Sequence, residues 1–349
     1  MLPMHPGQLE ASMTTLNQAS GSPTAPDPAA IFKIATGFMA AKHLFAANEL
    51  GLFEALADSP ATLDALAARC GLTPRAARIS ADAMVAVGLL ERDGDAYRNG
   101  PVAATFLSGR TPADLRPLLR FWDKVSYPTW ENLSSVLSTG PSQDLSRVSG
   151  EIQELAQAGI AAATAGPLRA LIATLDLSGC RRLLDIGGGN GSWSIGLADA
   201  NPHLYATVLD LPTVTPIAAQ RIAKAGLSDR VTARAGNALR DQLPTGHDVC
   251  LVANLIHYFG PEDNRTLLAN ARAAVEPGSQ LLIADFWTDR THTEPLMAAL
   301  MAGEFAAHEK HGDVYSVDEG RAWMAATGWR FTSHAPLAGP FSLVRADAV

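Results

Sequence analysis

The sequence has few cysteines and no excess of positive charge. Its 349 residues contain three cysteines, Cys70, Cys180 and Cys250. They lie too far apart for a Cys-x-x-Cys metal motif, and an odd number does not suit a disulfide framework, so we expect a reducing, cytoplasmic environment. The 27 Lys and Arg residues against 35 Asp and Glu residues give a net charge of -8. Because binding to DNA or RNA relies on basic side chains that neutralise phosphates, we expect no nucleic-acid partner.

Long hydrophobic runs are also missing. No segment has the 18 or so uninterrupted apolar residues of a membrane span, and the N-terminus lacks a basic stretch followed by an apolar core. We therefore expect neither a membrane partner nor export. With 47% hydrophobic and 18% charged residues, the chain can fold around a sizeable core, and about 150 residues per domain suggests two domains or one large one.

The N-terminal third divides into a tail and a helical domain. Residues 1–27 are rich in Pro, Ser, Thr and Gly and predict a mobile tail. Between residues 28 and 56 the apolar residues recur at helical spacing, which predicts two helices broken near Gly51. Farther on, two helical patterns flank a Gly-containing turn, and two short strands follow. Residues 28–110 therefore predict a winged-helix-like domain.

A winged helix can bind DNA, so a DNA-binding regulator is an alternative function from a different class. The second helix of the predicted motif carries only Arg75 and Arg78 as basic residues, against Asp82 on the same segment. This composition favours a structural or dimerisation module over DNA recognition.

Residues 111–175 predict a helical connector with an unusual aromatic cluster. Trp122, Tyr127 and Trp130 lie close together, although aromatic residues make up only 6% of the chain. Such clusters form cores, interfaces or pockets. We predict a substrate pocket walled by Trp122, Tyr127, Trp130, Phe286 and Met301.

Residues 176–349 show a different pattern, in which strand-like segments alternate with helical ones. Alternation of this kind predicts an α/β fold with a doubly wound, mainly parallel sheet. Its first strand, Leu183–Ile186, leads into the glycine-rich turn Gly187–Gly191 and then a helix. Because Gly187 and Gly189 have no side chains, a ligand can approach the backbone there.

Two acidic residues narrow the choice of ligand. Asp210 ends the next strand, 23 residues after Gly187, where a carboxylate can accept hydrogen bonds from both ribose hydroxyls of an adenosine, although it could also merely cap the following turn. Asp185 precedes the glycines; it would repel a pyrophosphate, which argues against a nicotinamide dinucleotide, but it suits a cation. S-adenosylmethionine has an adenosine, a sulfonium and an ammonium group.

With these motifs the sequence resembles the S-adenosylmethionine-dependent O-methyltransferases of small molecules, the plant caffeic-acid type and their bacterial natural-product relatives. The matching pieces are DIGGGNG, VLDLP, GNA at 236–238 and the segment 254–286, and the likeness extends over about residues 30–345. The resemblance implies a Rossmann-like methyltransferase sheet, a winged-helix-like dimerisation domain, a homodimer, and S-adenosylmethionine as cofactor with S-adenosylhomocysteine as product. The implied cofactor-binding residues are Asp185, Gly187, Gly189, Asp210, Leu211, Asn237, Ala238 and Asn254. The family usually has Asp where Asn237 stands.

His257 is the predicted general base. We expect it to end the fourth strand of the sheet, at the same edge as the glycine loop, and the base of the family occupies this position. An imidazole there can accept the proton of a hydroxyl as the methyl group moves. The sequence departs from the family at Tyr258 and Phe259, where the family has Asp and Trp, and near Val314, where a supporting Glu is usual.

Glu304 and His308 are further candidates for catalysis, since residues four apart share one face of a helix. Three interpretations remain open: a polar, solvated helix end; residues that orient the substrate or His257; or, together with His257, a site for iron or zinc. The last would resemble the metal-assisted C-methyltransferases of 2-oxo acids. The predicted function is methyl transfer to a hydroxyl, a phenolic one, of a small aromatic acceptor, with metal-assisted C-methylation as the alternative.

Overall fold

The computed structural model describes residues 26–140 and 150–349, and these divide between Ala41 and Lys42 into two compact units. The predicted tail, except for its last two residues, lies outside the described part. In the first unit, helix α1 (Ala29–Ala35) has no buried residue. A break at Thr36 separates it from α2 (Gly37–Glu49), and α3 (Leu52–Ala55) follows Gly51. The predicted break near Gly51 is present, with the left-handed φ of 70° that glycine permits, but the break at Thr36 was not predicted.

A helix-turn-helix with a small wing comes next, as the sequence predicts. Its elements are β1 (Ala61–Thr62), α4 (Leu63–Cys70), α5 (Pro74–Ala86), β2 (Leu90–Asp93) and β3 (Ala96–Asn99), with α6 (Pro101–Phe106) after them. Thr62 and Thr73 begin the two helices, because each side chain accepts a hydrogen bond from the backbone N–H three residues later. The three strands pair in the antiparallel order β1-β3-β2.

The connector is helical but interrupted. It contains α7 (Arg116–Phe121), a π-helical turn (Trp122–Ser126), α8 (Tyr127–Trp130), α9 (Leu133–Thr139) and α10 (Glu151–Thr174). A π-helical turn has one more residue per hydrogen-bonded loop than an α-helix and often lies at functional sites. It therefore changes the direction in which the following side chains point.

The C-terminal region is built on an eight-stranded sheet. The strands are β4 (Arg182–Ile186), β5 (Tyr205–Asp210), β6 (Val231–Ala235), β7 (His247–Ala253), β8 (Val275–Thr288), β9 (Tyr315–Ser316), β10 (Trp329–Pro336) and β11 (Phe341–Ala348). Their order is β10-β11-β8-β7-β4-β5-β6, with β9 beside the end of β8. Pairings from β8 to β6 are parallel, whereas β11 pairs antiparallel with both β8 and β10. The prediction of a mainly parallel sheet is confirmed; the two-residue strand β9 was missed.

Helices cover both faces of this sheet. They are α11 (Ser192–Ala200), α12 (Thr215–Lys224), α13 (Pro261–Ala273), α14 (Leu296–His308) and α15 (Val317–Ala326). Successive residues of a strand point to opposite faces. Accordingly, Leu184 packs in the core under α13 and α15, whereas Leu183 packs in the core under α10, α11 and α12. The predicted doubly wound α/β fold is confirmed.

His257 does not end a strand, contrary to the prediction. Strand β7 ends at Ala253, because Asn254 takes a left-handed φ of 53° that is incompatible with a continued strand. His257 lies in the short 3-10 turn Ile256–Tyr258 that follows. The chain therefore leaves β7 before it reaches the histidine.

Two described helical stretches, 29–49 and 151–174, are long and apolar enough for a membrane span by length and composition alone. Core helices of water-soluble proteins and N-terminal signal sequences meet the same criterion. The expectation of no membrane partner therefore stays a prediction.

Candidate active site

The glycine loop forms an open cradle at the end of β4. Gly187, Gly189 and Gly191 have left-handed φ values of 68°, 57° and 77°, which only glycine adopts readily. A Cβ atom at Gly187 would lie 2.6 Å from the side chain of Leu255, whereas one at Gly189 would meet nothing within 4 Å. The loop is thus packed on one side and open above Gly189, where a ligand can reach the backbone.

Beside this cradle two buried oxygen atoms have no partner. Asp185 is fully buried, and its Oδ2 accepts a hydrogen bond of 2.7 Å from the hydroxyl of Ser194. Its Oδ1, like Oδ1 of Asn254 on the neighbouring strand end, makes no hydrogen bond within the described chain. Burial raises the pKa of Asp185 to about 7, although the hydrogen bond from Ser194 opposes the rise, because a charge removed from water is costly. Donor groups such as an ammonium fit this pair of acceptors.

Asp210 lies where the ribose was predicted to bind. Its Oδ2 accepts from the backbone N–H of Gly189, and its Oδ1 accepts from that of Leu211, both at 2.7 Å. Burial raises the pKa of Asp210 above its usual value. Since a carboxylate offers about four acceptor positions, two remain for ribose hydroxyls. Leu211, next to this carboxylate, is 45% exposed.

Asn237 and Ala238 lie in the turn after β6. The side-chain oxygen of Asn237 accepts a hydrogen bond of 2.9 Å from the N–H of Leu239, and its backbone N–H donates to Asp241. The carbonyl of Ala238 accepts from the side chain of Asn270. Asn237 therefore holds its own turn while keeping one free acceptor position. The residues of the cradle, Asp210 and this turn fit the three parts of S-adenosylmethionine: amino acid, ribose and adenine.

His257 is buried and held by a carboxylate that the sequence did not reveal. Its Nδ1 lies 2.6 Å from Oδ1 of Asp285, which is fully buried on β8. Asp285 also accepts hydrogen bonds from the backbone N–H groups of Leu255, Ile256 and Phe286. With Nδ1 bound to a carboxylate, the proton is assigned to Nδ1 and the lone pair to Nε2. Asp285 thus fixes both the plane and the tautomer of the imidazole.

Aromatic rings surround the imidazole. The ring of Phe305 stacks on His257 with 3.8 Å between centroids and an interplanar angle of 14°. Tyr258 lies at 4.4 Å with a tilted ring, and Phe286 at 6.0 Å edge to face. The stacked ring excludes water from one face of His257, so that the histidine can be approached only from elsewhere.

Glu304 and His308 do not form a solvated helix end: Glu304 is 7% exposed and His308 is 3% exposed. The hydroxyl of Ser126 and the indole N–H of Trp130 donate to the two oxygens of Glu304. His308 Nε2 lies 3.3 Å from Glu304 Oε1 without the alignment of a hydrogen bond. Burial alone would raise the pKa of Glu304, but His308 and the two donors hold it below its usual value.

The predicted pocket residues fall into two groups. Trp130 packs on Gly303, where a Cβ atom would come within 2.9 Å of the indole ring, and Phe286 and Met301 belong to the apolar cluster around Phe305. Three of the five therefore lie around α14.

The other two pack elsewhere in the connector. Trp122 lies against the cluster of Phe121 and Val125, whereas Tyr127 lies under the ammonium of Lys42, 4.7 Å from the ring centroid. Their contribution to a pocket stays a prediction.

The alternative metal site is not assembled. Within the described residues, no three His, Cys, Asp or Glu side chains are grouped so that they could hold a metal ion. The reason is that His257 faces Asp285, whereas His308 faces Glu304. The alternative triad of His257, His308 and Glu304 is therefore not brought together as a metal site in the described part of the chain.

Comparison with protein families agrees with this geometry. An O-methyltransferase domain model matches residues 144–330, and an O-methyltransferase dimerisation domain model matches residues 32–109. The 3-hydroxy-5-methyl-1-naphthoate 3-O-methyltransferase of Streptomyces sahachiroi is 36% identical over 293 residues, which are 81% of this chain and 85% of that protein. The chain belongs to the S-adenosylmethionine-dependent O-methyltransferase family. It is an enzyme, and its cofactor is S-adenosylmethionine.

Two further relatives show the range of this methyltransferase family. The S-adenosylmethionine-dependent methyltransferase SibL has a solved structure that is 32% identical, covers 92% of this chain and 99% of its own, and superposes with a TM-score of 0.79. An L-tyrosine C(3)-methyltransferase of Streptomyces lavendulae is 32% identical over 88% of this chain and 89% of its own. The family fold therefore serves methylation at carbon as well as at oxygen.

Proposed function

We propose that this methyltransferase methylates a hydroxyl group, a phenolic one, of a small aromatic metabolite, with His257 as the general base. The observation that carries the proposal is the Asp285–His257 pair at the edge of the sheet that also bears the glycine loop. A base at the carboxyl ends of the strands lies where ligands of open α/β sheets bind.

Each residue has a defined task in this proposal. Three features hold the cofactor in this proposal: the open backbone at Gly189, the unpartnered oxygens of Asp185 and Asn254, and the free acceptor positions of Asp210. Bound S-adenosylmethionine supplies a methyl carbon that its sulfonium makes electrophilic. Nε2 of His257 accepts the hydroxyl proton as the oxygen attacks, and Asp285 stabilises the resulting imidazolium through Nδ1. Holding the reacting groups in line supplies much of the remaining rate.

Replacement of the base tests this role. We expect His257→Ala to lower kcat by about 10²–10⁴-fold, the usual contribution of a general base, while the affinity for S-adenosylhomocysteine stays unchanged. His203→Ala is the matched control, because His203 bonds to the carbonyl of Leu177 ahead of β5, at the opposite edge of the sheet. Turnover of the His257 variant at the control rate would exclude a base at this position.

A second candidate, methylation at carbon, is favoured by the relative that acts on L-tyrosine. In that reaction the same base removes the phenolic proton, a ring carbon of the phenolate attacks the methyl group, and S-adenosylhomocysteine leaves. Loss of the proton from that ring carbon and return of a proton to the oxygen then restore the aromatic phenol. Nuclear magnetic resonance of the product separates the two outcomes, because an O-methyl and a C-methyl group on an aromatic ring have distinct shifts.

We further propose that the enzyme is a cytoplasmic homodimer. The match of residues 32–109 to a dimerisation domain supports a dimer, and so do Ile31, Phe32 and Ile34 of α1, which are 65–81% exposed, because contiguous apolar surface favours association. We expect Ile31→Glu with Ile34→Glu to shift the protein to a monomer in analytical ultracentrifugation. A dimer that persists at low micromolar concentration would remove α1 from the interface.

A role in DNA binding has little support. Asp82 pairs with both Arg78 and Arg92, which leaves fewer free cations on the winged helix for phosphates.

A further inference from the structure

Glu304 and His308 form a buried pair on α14. The protein itself supplies hydrogen-bond donors to Glu304, but it supplies no hydrogen-bond partner to Nδ1 of His308 within the described residues. Ser126 and Trp130, both from the connector, donate to separate oxygens of Glu304. These hydrogen bonds fix the carboxylate between the connector and α14, and each of its oxygens already accepts one from the protein.

His308 is the open member of the pair. Nε2 of His308 faces Oε1 of Glu304 at 3.3 Å, whereas Nδ1 has no partner within the described residues, and both nitrogens are shielded from solvent. A buried polar group without a partner costs about 1–3 kcal/mol, so native structures rarely keep one without a function. A ligand that satisfied the ring would recover this energy.

The position of His308 relates it to the base. Phe305 stacks on His257, and His308 follows Phe305 by three residues on α14. Residues three apart on a helix are surface neighbours, with about 5–6 Å between their Cβ atoms. His308 thus lies one helical turn from the phenyl ring that packs on the base.

The neighbouring carboxylate sets the hydrogen-bonding character of His308. A negative charge on Glu304, 3.3 Å from Nε2, favours the proton on that nitrogen. In the neutral imidazole Nδ1 then carries the lone pair and acts as an acceptor. The group that it can bind is a hydrogen-bond donor.

We propose that His308 is a specificity-determining residue whose Nδ1 accepts a hydrogen bond from a second hydroxyl or N–H group on the aromatic acceptor. The inference rests on the proposed function, since it assumes an aromatic acceptor with its reacting hydroxyl at His257. It assigns the substrate class more narrowly, to aromatic compounds with two proton-donating groups. Glu304 is the positioning residue, since its charge favours the proton on Nε2 and so leaves Nδ1 as the acceptor.

Binding to the enzyme loaded with S-adenosylhomocysteine tests this inference without turnover. The probes are 2-naphthol and a set of dihydroxynaphthalene isomers, which place the second hydroxyl at different distances from the first. For the wild type we expect at least one isomer to bind about tenfold more tightly than 2-naphthol in calorimetry, the value of one well-formed hydrogen bond. His308→Phe should abolish that difference while the affinity for 2-naphthol changes by less than about threefold.

Two further variants separate recognition from structure. His308→Gln keeps an acceptor oxygen and should retain part of the preference, whereas His311→Phe, at an exposed histidine just after α14, should retain all of it. The inference is overturned if no isomer binds better than 2-naphthol, if the preference survives in His308→Phe, or if that variant weakens all naphthols equally. Failure of every naphthol to bind the wild type would contradict the proposed phenolic function as well.

Discussion

Two buried carboxylate–imidazole pairs occur among the described residues, and they are built differently. Asp285 makes a directed bond of 2.6 Å to His257 and is itself held by three backbone N–H groups. Glu304 is held by side chains of the connector and faces His308 at 3.3 Å without a directed bond. Both the carboxylate and the imidazole of the first pair are held by hydrogen bonds, whereas in the second pair only the carboxylate is held in this way.

This difference indicates which chemistry each pair suits. A base must present one nitrogen in one direction, and a carboxylate anchored by rigid backbone provides that orientation. A recognition group needs an unused hydrogen-bonding position, and His308 has one. Closeness of Glu or Asp to His in a structure therefore does not by itself identify a catalytic pair; the remaining bonds of each partner do.

The largest expected effect is on turnover, when the carboxylate of the Asp285–His257 pair is replaced. Asp285→Asn keeps the shape but presents an amide that can donate to Nδ1 and so favour the wrong tautomer of His257. We expect kcat to fall by about 10²–10⁴-fold, as for carboxylates that orient a catalytic histidine, with little change in the affinity for S-adenosylhomocysteine. Steady-state kinetics and calorimetry measure the two quantities. A fall of less than about threefold would mean that Asp285 is not needed to orient the base.

A third carboxylate, Asp185, extends the comparison to a group without a histidine. Its pKa of about 7 in the folded protein lies above the unfolded value of about 3.9. The folded state therefore keeps a proton that the unfolded state releases, and the free energy of unfolding should fall by up to roughly 4 kcal/mol between pH 4 and pH 7.

Asp185→Asn cannot titrate, so its stability should depend less on pH over this window. Urea denaturation of the cofactor-free wild type and variant at a series of pH values measures the difference. Parallel curves for the two proteins would show that Asp185 is ionised in both folded and unfolded states.

The smallest expected effect concerns Glu304, whose contribution to stability changes with pH in the direction opposite to that of Asp185. Because the pKa of Glu304 is lowered in the folded state, its ionised form stabilises the fold above the unfolded pKa, and this stability is lost as the pH falls through the folded value. Glu304→Gln should lower the free energy of unfolding by about 1–2 kcal/mol at pH 7, since one acceptor oxygen becomes a donor, and the loss should shrink in acid. Glu131→Gln, at an exposed position of the connector, serves as the control.

The sequence predicts what is local. The glycine loop, Asp210, the helix-turn-helix and the alternating strands all depend on residues close in the chain, and each is present in the structure. The partner of His257 is not local: Asp285 lies 28 residues away, among apolar residues near the end of β8. The two side chains meet because β7 ends at Ala253 and His257 lies in the short turn that follows.

The hydrogen-bond donors of Glu304 could not be predicted either, because they are even farther away in the sequence. Its spacing to His308 indicated one helix face, but its main donors, Ser126 and Trp130, precede it by 178 and 174 residues. No periodicity relates segments so far apart. The burial that distinguishes this pair from a solvated helix end could therefore be learned only from the packing of the connector on α14.

The π-helical turn at Trp122–Ser126 has a consequence for protein engineering. One additional residue in a helix rotates everything after it by about 100°. A connector grafted from a relative with an uninterrupted α-helix would thus be out of phase from Ser126 onward, and the indole of Trp130 would leave Gly303 and Glu304. To exchange acceptor preference between such enzymes, the grafted segment must include the additional residue of the π-helical turn or must begin after Trp130.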